Sequence, residues 1–430
     1  MKYYFIGIKG SGMSSLAQVM HELGYEVMGS DKPDHFFTEV GLIEKGIKIF
    51  EFNKDNITED MIIVQGNAFD DTHEEVKRAK ELNLKIYTYQ NMIAEITNNT
   101  KLIAVSGCHG KTTTTTMLKN VFSNIGINYL IGDGSGYAKK DNEYFALEAC
   151  EFKRHFLSYS PYYAIITNIE LDHTDYYKDL DDVMDAFNTF ANKARKAVIM
   201  CGDDNNVRKI KTSVETLYYG FKNDNDVVAK NIIVKDEKTT IDVYIKGEKF
   251  DTYTLPFVGD HLLLNVLSVI TVCYLENIDK EEIRNQVSKI EHAKRRFIEE
   301  KFKDNILIDD YAHHPTEVKV TIEAAKTKYP DKQVIAIFKA HTKSRVKYFH
   351  KEFADALNLA DKCYVMEIGV DRREEGFDDV THHDIIKYTK NGEEIDLNTV
   401  DKLVQYKNSV LLFMSSKDIY VLANKYKEIA

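Results

Sequence analysis

The sequence has little of what marks secreted, fibrous or membrane proteins. Its 430 residues include no Trp, 5 Pro, 5 Cys and 21 Gly, which excludes collagen-like and Pro-rich chains. The cysteines lie more than 40 residues apart and form no CxxC motif, so we expect a reducing compartment and no structural zinc. The chain start shows no secretory signal, and no apolar run approaches 18 residues. These absences predict a soluble, cytoplasmic protein.

Basic side chains are also fewer than acidic ones. The 57 basic and 68 acidic side chains leave a net charge of −11, which disfavours a general binder of nucleic acids or membrane surfaces. A composition of 43% hydrophobic and 29% charged residues can bury a sizeable core. At roughly 150 residues per domain, the length suggests about three domains.

Short apolar runs alternate with longer amphipathic segments along the whole chain. This alternation is typical of βαβ units and predicts an α/β fold with mainly parallel sheets. Residues 227–254 are rich in alternating β-branched side chains and predict antiparallel hairpins. The predicted strands are residues 3–8, 61–64, 85–88, 102–105, 164–167, 198–201, 305–308, 334–338, 363–367 and 410–414. The predicted helices include residues 14–23, 113–125, 180–193, 315–328 and 344–359.

Two polar stretches mark candidate domain boundaries. Residues 97–100 form a pause before a new strand, and residues 294–297 follow a polar helix and precede another strand. The segments between them have workable domain sizes. We predict three domains, at residues 1–97, 98–297 and 298–430.

The first predicted strand runs into a glycine loop. Gly10, Gly12 and Ser15 match the dinucleotide-binding pattern GxGxxG/A loosely. Asp31 follows about 20 residues later, where an acid meets a ribose hydroxyl. Because glycines let the backbone approach a pyrophosphate at a helix N-terminus, the loop predicts a dinucleotide or nucleotide-diphosphate site. The alternative is a tight turn that binds nothing.

A second loop follows the strand predicted at residues 102–105. Gly107 and Gly110 precede Lys111 and Thr112, with a shorter spacing than the Walker pattern has. Backbone N–H groups and the lysine would surround phosphate oxygens, and the threonine hydroxyl can hold Mg²⁺. Residues 112–116 are all threonine, a poor helix former, which indicates that their hydroxyls matter. This loop predicts a triphosphate site.

Acids and a histidine follow two further strands. Glu148 and Glu151 stand at one strand end, and Glu170, Asp172 and His173 stand at another. The carboxyl ends of parallel strands face the ligand crevice, where such groups could hold the Mg²⁺ that accompanies phosphoryl transfer. Taken singly, each is equally well explained as a solvated loop residue.

Two polar clusters leave strands nearer the C-terminus. Asp310, Tyr311 and His313 lead into one predicted helix, and His341 and Arg345 into the next. Basic groups at strand ends suit a carboxylate or phosphate ligand, whereas a helix cap explains the same residues without one.

Other histidines and charge runs are interpreted without a ligand. Adjacent side chains point in different directions, so His313 and His314 are not expected to share a metal ion. His382, His383 and the charged residues 372–375 are interpreted as solvated faces.

Two phosphate loops in successive domains disfavour a hydride-transfer enzyme, which needs one dinucleotide. One nucleotide would be ATP, and the other would be part of the substrate.

These residues together resemble the Mur ligase family over nearly the whole chain. The resemblance is carried by residues 7–17, 106–115, 148–151, 167–173, 259–265, 294–297, 309–315 and 341–345. It implies a Rossmann-like N-terminal domain that binds a UDP-linked substrate and a P-loop ATPase-like central domain. It also implies a Rossmann-like C-terminal domain that binds an amino acid and closes over both.

The resemblance also implies roles for individual residues. The UDP-substrate site would comprise Gly10, Ser11, Gly12, Met13 and Asp31. The ATP site would comprise Gly107, His109, Gly110, Lys111, Thr112, Thr113, His261, Asn265, Arg296 and Asp310. The metal ligands would be Thr112, Glu148 and His173, and the amino acid would meet Tyr311, His313 and Arg345. The catalytic residues would be Lys111, His173, His313 and Arg345.

The implied reaction is ATP-dependent, ADP-forming amide synthesis in cell-wall precursor formation. The substrates would be UDP-N-acetylmuramate and L-alanine, with Mg²⁺ or Mn²⁺ and without nucleic acid or membrane. A carboxylate would attack the γ-phosphate, and an amine would then attack the resulting acyl phosphate. The protein would be a monomer or a weak homodimer.

Several positions depart from the family pattern. Cys108 stands where a Thr is usual, and Leu262 where an Asn often follows the histidine. Lys339, Thr342 and residues 415–417 also depart from it, and these lie in the C-terminal domain, so the identity of the amino acid stays open. The alternatives are a relative that adds another amino acid or a peptide, a nucleotide-sensing or scaffold protein, and a dinucleotide oxidoreductase.

Overall fold

A computed structural model describes residues 1–291, 293, 295–369 and 377–430, and it shows three α/β sheets with mainly parallel strands, as predicted. The strands are β1 (Lys2–Ile6), β2 (Glu26–Ser30), β3 (Lys48–Phe50), β4 (Met61–Gln65), β5 (Ile86–Thr88), β6 (Lys101–Ser106), β7 (Ile127–Leu130), β8 (Gly136–Tyr137), β9 (Tyr144–Glu148), β10 (Tyr163–Ile166), β11 (Ala197–Cys201), β12 (Thr216–Gly220), β13 (Val227–Lys235), β14 (Lys238–Ile245), β15 (Glu248–Leu255), β16 (Ile298–Phe302), β17 (Asn305–Asp310), β18 (Val334–Lys339), β19 (Lys362–Met366), β20 (Gly392–Glu394) and β21 (Val410–Met414). The helices are α1 (Ser11–Glu22), α2 (Val40–Glu44), α3 (Glu74–Glu81), α4 (Tyr89–Thr97), α5 (Lys111–Val121), α6 (Leu180–Ala191), α7 (Asp260–Leu275), α8 (Lys280–Val287), α9 (Pro315–Lys328), α10 (Lys343–Leu357), α11 (His383–Ile386) and α12 (Tyr420–Ile429). In these described ranges, no helix combines the length and the apolar character needed to cross a bilayer.

The N-terminal sheet is parallel throughout, in the order β3-β2-β1-β4-β5. Its central strand β1 buries Tyr4, Phe5 and Ile6 completely. A strand covered on both faces needs apolar residues throughout, which explains why this short run takes the centre. The chain leaves β1 into α1, so the first glycine loop lies at the point where the strand order reverses.

The central sheet has ten strands in the order β15-β14-β13-β12-β11-β10-β6-β9-β7-β8. Strands β13, β14 and β15 pair antiparallel, which confirms the hairpins predicted for residues 227–254. Strand β6 lies between β9 and β10 and is parallel to both. The second glycine loop therefore leaves the sheet between the carboxyl ends of two neighbouring strands.

The C-terminal sheet has the order β16-β17-β21-β18-β19-β20. Its strands are parallel except for the edge pair β16 and β17. Apolar side chains from both faces of the sheet are buried beneath α9, α10 and α12.

Helix α1 packs against one edge of the central sheet. Ser15 Oγ donates a hydrogen bond to the carbonyl of Ile131 at 2.7 Å, and Gln18 Nε2 donates to that of Gly134 at 2.8 Å. Gly136 in β8 has no room for a side chain, because the carbonyl oxygen of Ser15 occupies the position that a Cβ would take. These contacts join the N-terminal and central sheets.

The chain separates into two compact units. The first comprises Met1–Glu170 and Leu180–Glu291, and the second comprises Leu171–Asp179 and His292–Ala430. The domain boundaries predicted at residues 97 and 297 stay predictions. Among the stretches singled out in the sequence, Lys294 and residues 372–375 lie outside the described residues.

The predicted strands omit several that the structure contains, and β2 shows why. It includes Gly29 and Ser30, which have low strand propensity. The carbonyl oxygen and Cβ of Phe5 occupy the space beside Gly29, so close packing against β1 determines the strand at this position. Such packing cannot be recognised from local composition.

The interpretation of His382 as part of a solvated face is wrong. His382 is only 6% exposed, whereas the His383 side chain is 62% exposed. The short helix α11 contacts both α10 and β20, and this packing covers His382.

A buried carboxylate ties three strands of the central sheet to α7. Glu276 accepts hydrogen bonds from Lys101 Nζ at 2.8 Å and from the hydroxyls of Tyr144 and Tyr163, both at 2.6 Å. These donors are the first residues of β6, β9 and β10. Burial opposes ionisation of Glu276, but the three donors outweigh it and lower the pKa of this carboxyl.

We expect Glu276→Ala to lower the free energy of unfolding by about 2–3 kcal/mol, because two buried tyrosine hydroxyls and the partly buried Lys101 ammonium lose this acceptor. Urea denaturation measures the loss. A lowered pKa stabilises the fold above the ordinary value of 4.5, so the difference from wild type should shrink as the pH falls below it. The control is Glu143→Ala, which removes a 62%-exposed partner of the same lysine. Equal losses in the two variants would contradict the prediction.

Candidate functional site

The first glycine loop connects β1 to α1. Gly7 has a φ of +83°, and the ring of Phe69 fills the space that a Cβ would need. Helix α1 begins at Ser11, so its first N–H groups have no partner within the helix and suit an anion. The residues predicted to contact the diphosphate all lie at this N-terminal end of α1: Gly10, Ser11, Gly12 and Met13.

Gly12 is required by a neighbouring tyrosine. A Cβ at this position would lie 2.5 Å from the hydroxyl oxygen of Tyr89, the first residue of α4. Tyr89 therefore lies directly against the predicted diphosphate loop. Sequence reasoning missed this residue because it stands at a strand-to-helix junction without any motif.

Asp31 organises the loop from the next strand. Its carboxylate accepts hydrogen bonds from the backbone N–H of Lys9 at 2.7 Å and of Lys32 at 2.8 Å. The Lys9 side chain is 7% exposed, and its Nζ lies 2.8 Å from Glu39 Oε2. The ammonium also donates to the carbonyls of Lys32 and Asp34. Lys9 thus fixes the segment after Asp31, a role that no sequence pattern indicated.

The second loop contains two glycines in conformations that disfavour a side chain. Gly107 has a φ of +134° and Gly110 a φ of +83°. The backbone of His109 is held by Asn168, whose Oδ1 accepts from the N–H at 2.8 Å and whose Nδ2 donates to the carbonyl at 2.9 Å. Thr167 Oγ1 donates to the same carbonyl at 2.6 Å. The end of β10 therefore fixes the shape of the loop.

Lys111 begins α5 with its ammonium turned back into the loop. Nζ donates to the carbonyl of Gly107 at 2.5 Å and lies 2.9 Å from Glu151 Oε2. Burial favours the neutral amine, but the Glu151 carboxylate outweighs this effect and raises the pKa of Lys111. The side chain is therefore charged at neutral pH and positioned beside the helix N-terminus, as phosphate binding requires.

Two predicted metal ligands are in direct contact. Thr112 Oγ1 donates to Glu148 Oε2 at 3.0 Å, and the Gly132 N–H donates to the same oxygen at 2.9 Å. A hydroxyl and a carboxylate are oxygen donors of the kind that Mg²⁺ prefers. These residues fit the metal ion that the family resemblance implies.

The remaining threonines of the run differ from Thr112. Thr114, Thr115 and Thr116 are buried, while Thr113 is partly exposed. Thr115 Oγ1 donates to the carbonyl of Lys111 at 2.8 Å, which is a bond within the helix. Within this run of threonines, the hydroxyl that contacts Glu148 is thus that of Thr112.

Helix α7 supplies the neighbour of Gly110. A Cβ on Gly110 would lie 2.8 Å from Asn265 Oδ1, so Asn265 contacts the loop directly. His261 lies one turn earlier on the same helix, where residues four apart share a face. The ATP contacts predicted for both residues stay predictions.

Asp310 ends β17 as a buried acid of the second unit. Its Oδ1 accepts from the N–H of Ala312 and its Oδ2 from that of Phe297, each at 2.8 Å. Burial raises the pKa of Asp310 to about 6, although the nearby charge of Arg296 acts in the opposite direction. Both oxygens are used within the fold, and the predicted place of Asp310 in the ATP site stays a prediction.

The residues after Asp310 combine a cap with an aromatic cluster. His314 caps α9 together with Glu317. His313 Nδ1 lies 3.0 Å from Glu317 Oε2, and its ring centroid is 5.3 Å from that of Tyr311. Arg296 lies 5.0 Å from the centroid of the Tyr311 ring.

Arg345 forms a buried ion pair. Its Nε and Nη2 donate to Asp172 Oδ1 at 3.1 and 2.6 Å. Their side chains are only 7% and 8% exposed. Burial works against the charge of Asp172, but the Arg345 guanidinium outweighs it and holds the pKa of that carboxyl well below its usual range. The guanidinium predicted to meet the amino acid is thus already bound to a carboxylate.

His173 follows Asp172 with a φ of +50°, a conformation uncommon for a residue with a side chain. Its carbonyl accepts from the N–H groups of Tyr176 and Tyr177 at 2.8 and 3.0 Å, which forms a compact turn. His173 belongs to the second compact unit, and Thr112 and Glu148 to the first. The metal site predicted for all three stays a prediction.

The fold and its two phosphate-type loops define a three-domain nucleotide-binding protein. Three family models match it in order: "Mur ligase family, catalytic domain" at residues 2–101, "Mur ligase middle domain" at residues 105–273, and "Mur ligase, glutamate ligase domain" at residues 295–422. The chain belongs to the Mur ligase family. It is therefore an ATP-dependent, ADP-forming amide ligase, as the resemblance implied.

Solved structures share the whole fold. UDP-N-acetylmuramate-alanine ligase MurC from Thermotoga maritima superposes with a TM-score of 0.81 at 24% identity, covering 100% of this chain and 98% of that one. A murein peptide ligase from Psychrobacter arcticus has a TM-score of 0.75 at 23% identity, with coverage of 100% and 99%. MurF from Thermotoga maritima, in complex with ADP, has a TM-score of 0.66 at 19% identity, with coverage of 87% and 96%.

We expect Arg345→Met to destabilise the second unit by about 3–5 kcal/mol, because it leaves the Asp172 carboxylate buried without its guanidinium partner. The double variant Arg345→Met/Asp172→Asn removes both charges and should lose less than the single one. Thermal denaturation of the three proteins measures the difference. A double variant less stable than the single variant would show that the ion pair is not the dominant interaction.

Proposed function

We propose that this chain joins L-alanine to UDP-N-acetylmuramate with cleavage of ATP to ADP and phosphate. The observation that carries the proposal is the presence of two loops for phosphate groups in one compact unit. One is a glycine turn of the nucleotide-diphosphate type, and the other contains the charged, buried Lys111. The likeness to UDP-N-acetylmuramate-alanine ligase over the whole chain supports this choice of substrates.

The chain's residues have distinct tasks in this proposal. The muramate carboxylate attacks the γ-phosphorus of ATP, ADP leaves, and the amine of alanine displaces phosphate from the acyl phosphate. Lys111 and the N-terminus of α5 stabilise the negative charge on the phosphate oxygens. Thr112, Glu148 and His173 would hold Mg²⁺, which supplies further charge neutralisation. Tyr311, His313 and Arg345 would border the amino acid.

A second candidate is a ligase of the same family that adds another amino acid or a peptide. The departures in the C-terminal part favour it, since Ser416 Oγ lies 2.9 Å from His341 Nδ1. This pair forms part of the polar surface near the residues that are predicted to contact the amino acid. The similar fold of a murein peptide ligase also supports this candidate.

An amino-acid screen separates the two candidates. We expect phosphate release from ATP and Mg²⁺ with UDP-N-acetylmuramate to require L-alanine. The test compares single amino acids with L-alanyl-γ-D-glutamyl-meso-diaminopimelate, the peptide in the name of a ligase of similar fold. Coupled detection of phosphate measures the rate. Release with a different amino acid or only with a peptide would replace L-alanine and keep the ligase chemistry.

We expect Lys111→Ala to reduce turnover by at least about 10²–10³-fold, because a preorganised charge on the phosphates is lost. Calorimetric titration with UDP-N-acetylmuramate should show unchanged binding, since the first glycine loop is intact. The matched control is Lys119→Ala on the same helix; its Nζ lies 5.1 Å from the centroid of the Tyr129 ring in β7. Wild-type turnover in Lys111→Ala would contradict the assignment of the ATP site.

A further inference from the structure

Two imidazoles and a carboxylate meet at the edge of the C-terminal sheet. His382 and His383 stand at the start of α11, and Glu394 is the last residue of β20. One ligand atom from each of the three side chains lies within 4.8 Å of the others. We propose that this cluster binds a zinc ion, at a site separate from the residues assigned to the ligase reaction.

The distances fit a shared metal ion. His382 Nε2 lies 3.0 Å from Glu394 Oε1, and His383 Nε2 lies 3.9 Å from Glu394 Oε2. Bonds of about 2.0–2.2 Å in a tetrahedral zinc site place neighbouring ligand atoms about 3.3 Å apart. The two observed separations lie on either side of this value. Two histidines and a glutamate are also an established zinc ligand set, with a fourth position left for water.

His382 supplies an independent observation. Its side chain is 8% exposed, and its Nε2 has no hydrogen-bond partner within the described part of the chain. Glu394 Oε1 lies 3.0 Å from this nitrogen, but no hydrogen bond joins the two atoms. A bound ion is one explanation for a buried ring nitrogen without a hydrogen bond. A cation bonded to both atoms satisfies each of them.

The local backbone explains how two adjacent histidines can act together. Their ring centroids are 4.1 Å apart, with an angle of 35° between the planes. The turn is fixed by the Thr381 N–H, which donates to Asp384 Oδ2 at 3.0 Å, and by the Ile385 N–H, which donates to the His382 carbonyl at 3.0 Å. The rings are therefore held side by side, unlike adjacent side chains of an extended segment.

Glu394 is equally well placed. Its backbone pairs with Val365 of β19, and successive strand residues point to opposite faces. Glu393 forms ion pairs with Lys362 and Lys402, whereas the basic groups within 4.0 Å of the Glu394 carboxylate are the two imidazoles in the part of the chain described here. No lysine ammonium or arginine guanidinium among these residues competes with a metal ion for this carboxylate.

The competing explanation is a pair of simple ion pairs between protonated histidines and Glu394. Both explanations predict contact between α11 and β20, but only the zinc site predicts affinity for a metal. Bound zinc would link the short helix to the sheet edge, and its removal would weaken that link.

The first test is a zinc titration of the tag-free full chain against a chromophoric chelator, with excess Mg²⁺ to occupy the magnesium ligands. We expect a zinc site that His383→Ala and Glu394→Gln each weaken by more than about tenfold, since loss of even an outer-shell partner costs that much. The matched control is His35→Ala. It removes an exposed imidazole that lies 2.6 Å from a single carboxylate, that of Glu39, and should leave zinc affinity unchanged.

A second readout does not depend on the chelator. Zinc should raise the melting temperature of the wild type and of His35→Ala, but not that of Glu394→Gln. Equal zinc affinity in the wild type, His383→Ala and Glu394→Gln would overturn the proposal, as would the absence of a zinc-dependent rise in melting temperature. Both variants should retain ATP-dependent phosphate release, so this test is independent of the proposed ligase function.

Discussion

A lysine ammonium buried under a phosphate loop needs a fixed negative partner, and the Lys111–Glu151 ion pair meets that need. Glu151 is only 1% exposed, so its carboxylate is well shielded from water. It follows β9, which pairs with β6, the strand that leads into the loop. The strand order of the central sheet therefore brings the two charges together. Because the ammonium is charged and oriented before any ligand arrives, little reorganisation accompanies the binding of phosphate.

The backbone of both loops could be predicted from sequence, but the contacts that support them could not. Gly107 and Gly110 adopt positive φ values, a local requirement that glycine reveals directly. The buried Lys9–Glu39 ion pair has no such signature, because a lysine in a polar loop is ordinarily solvated. Ser15 is similar: its place in the glycine pattern is visible, but its hydrogen bond to the carbonyl of Ile131, 116 residues later, is not.

In the second unit, histidines have different structural roles, so the residue type alone does not reveal the role of each one. His314 is a helix cap, while His382 was interpreted as exposed and is buried. Arg345 and Asp172 are 173 residues apart, so neither residue alone indicates a buried ion pair. The fold class was predictable because it depends on the alternation of strands and helices. The partners of individual side chains depend on contacts between distant segments.

The docking of α1 on the central sheet has a kinetic consequence. Ser15 and Gln18 donate hydrogen bonds to carbonyl groups of the connection between β7 and β8, and Gly136 allows the backbones to approach closely. The start of α1 and the start of α5 are therefore held at a set separation within one unit. Two ligands bound at these helix ends would react as parts of a single molecule, with an effective molarity far above their concentrations in solution. The conformational entropy of holding the two binding loops in place relative to each other is already lost when the protein folds.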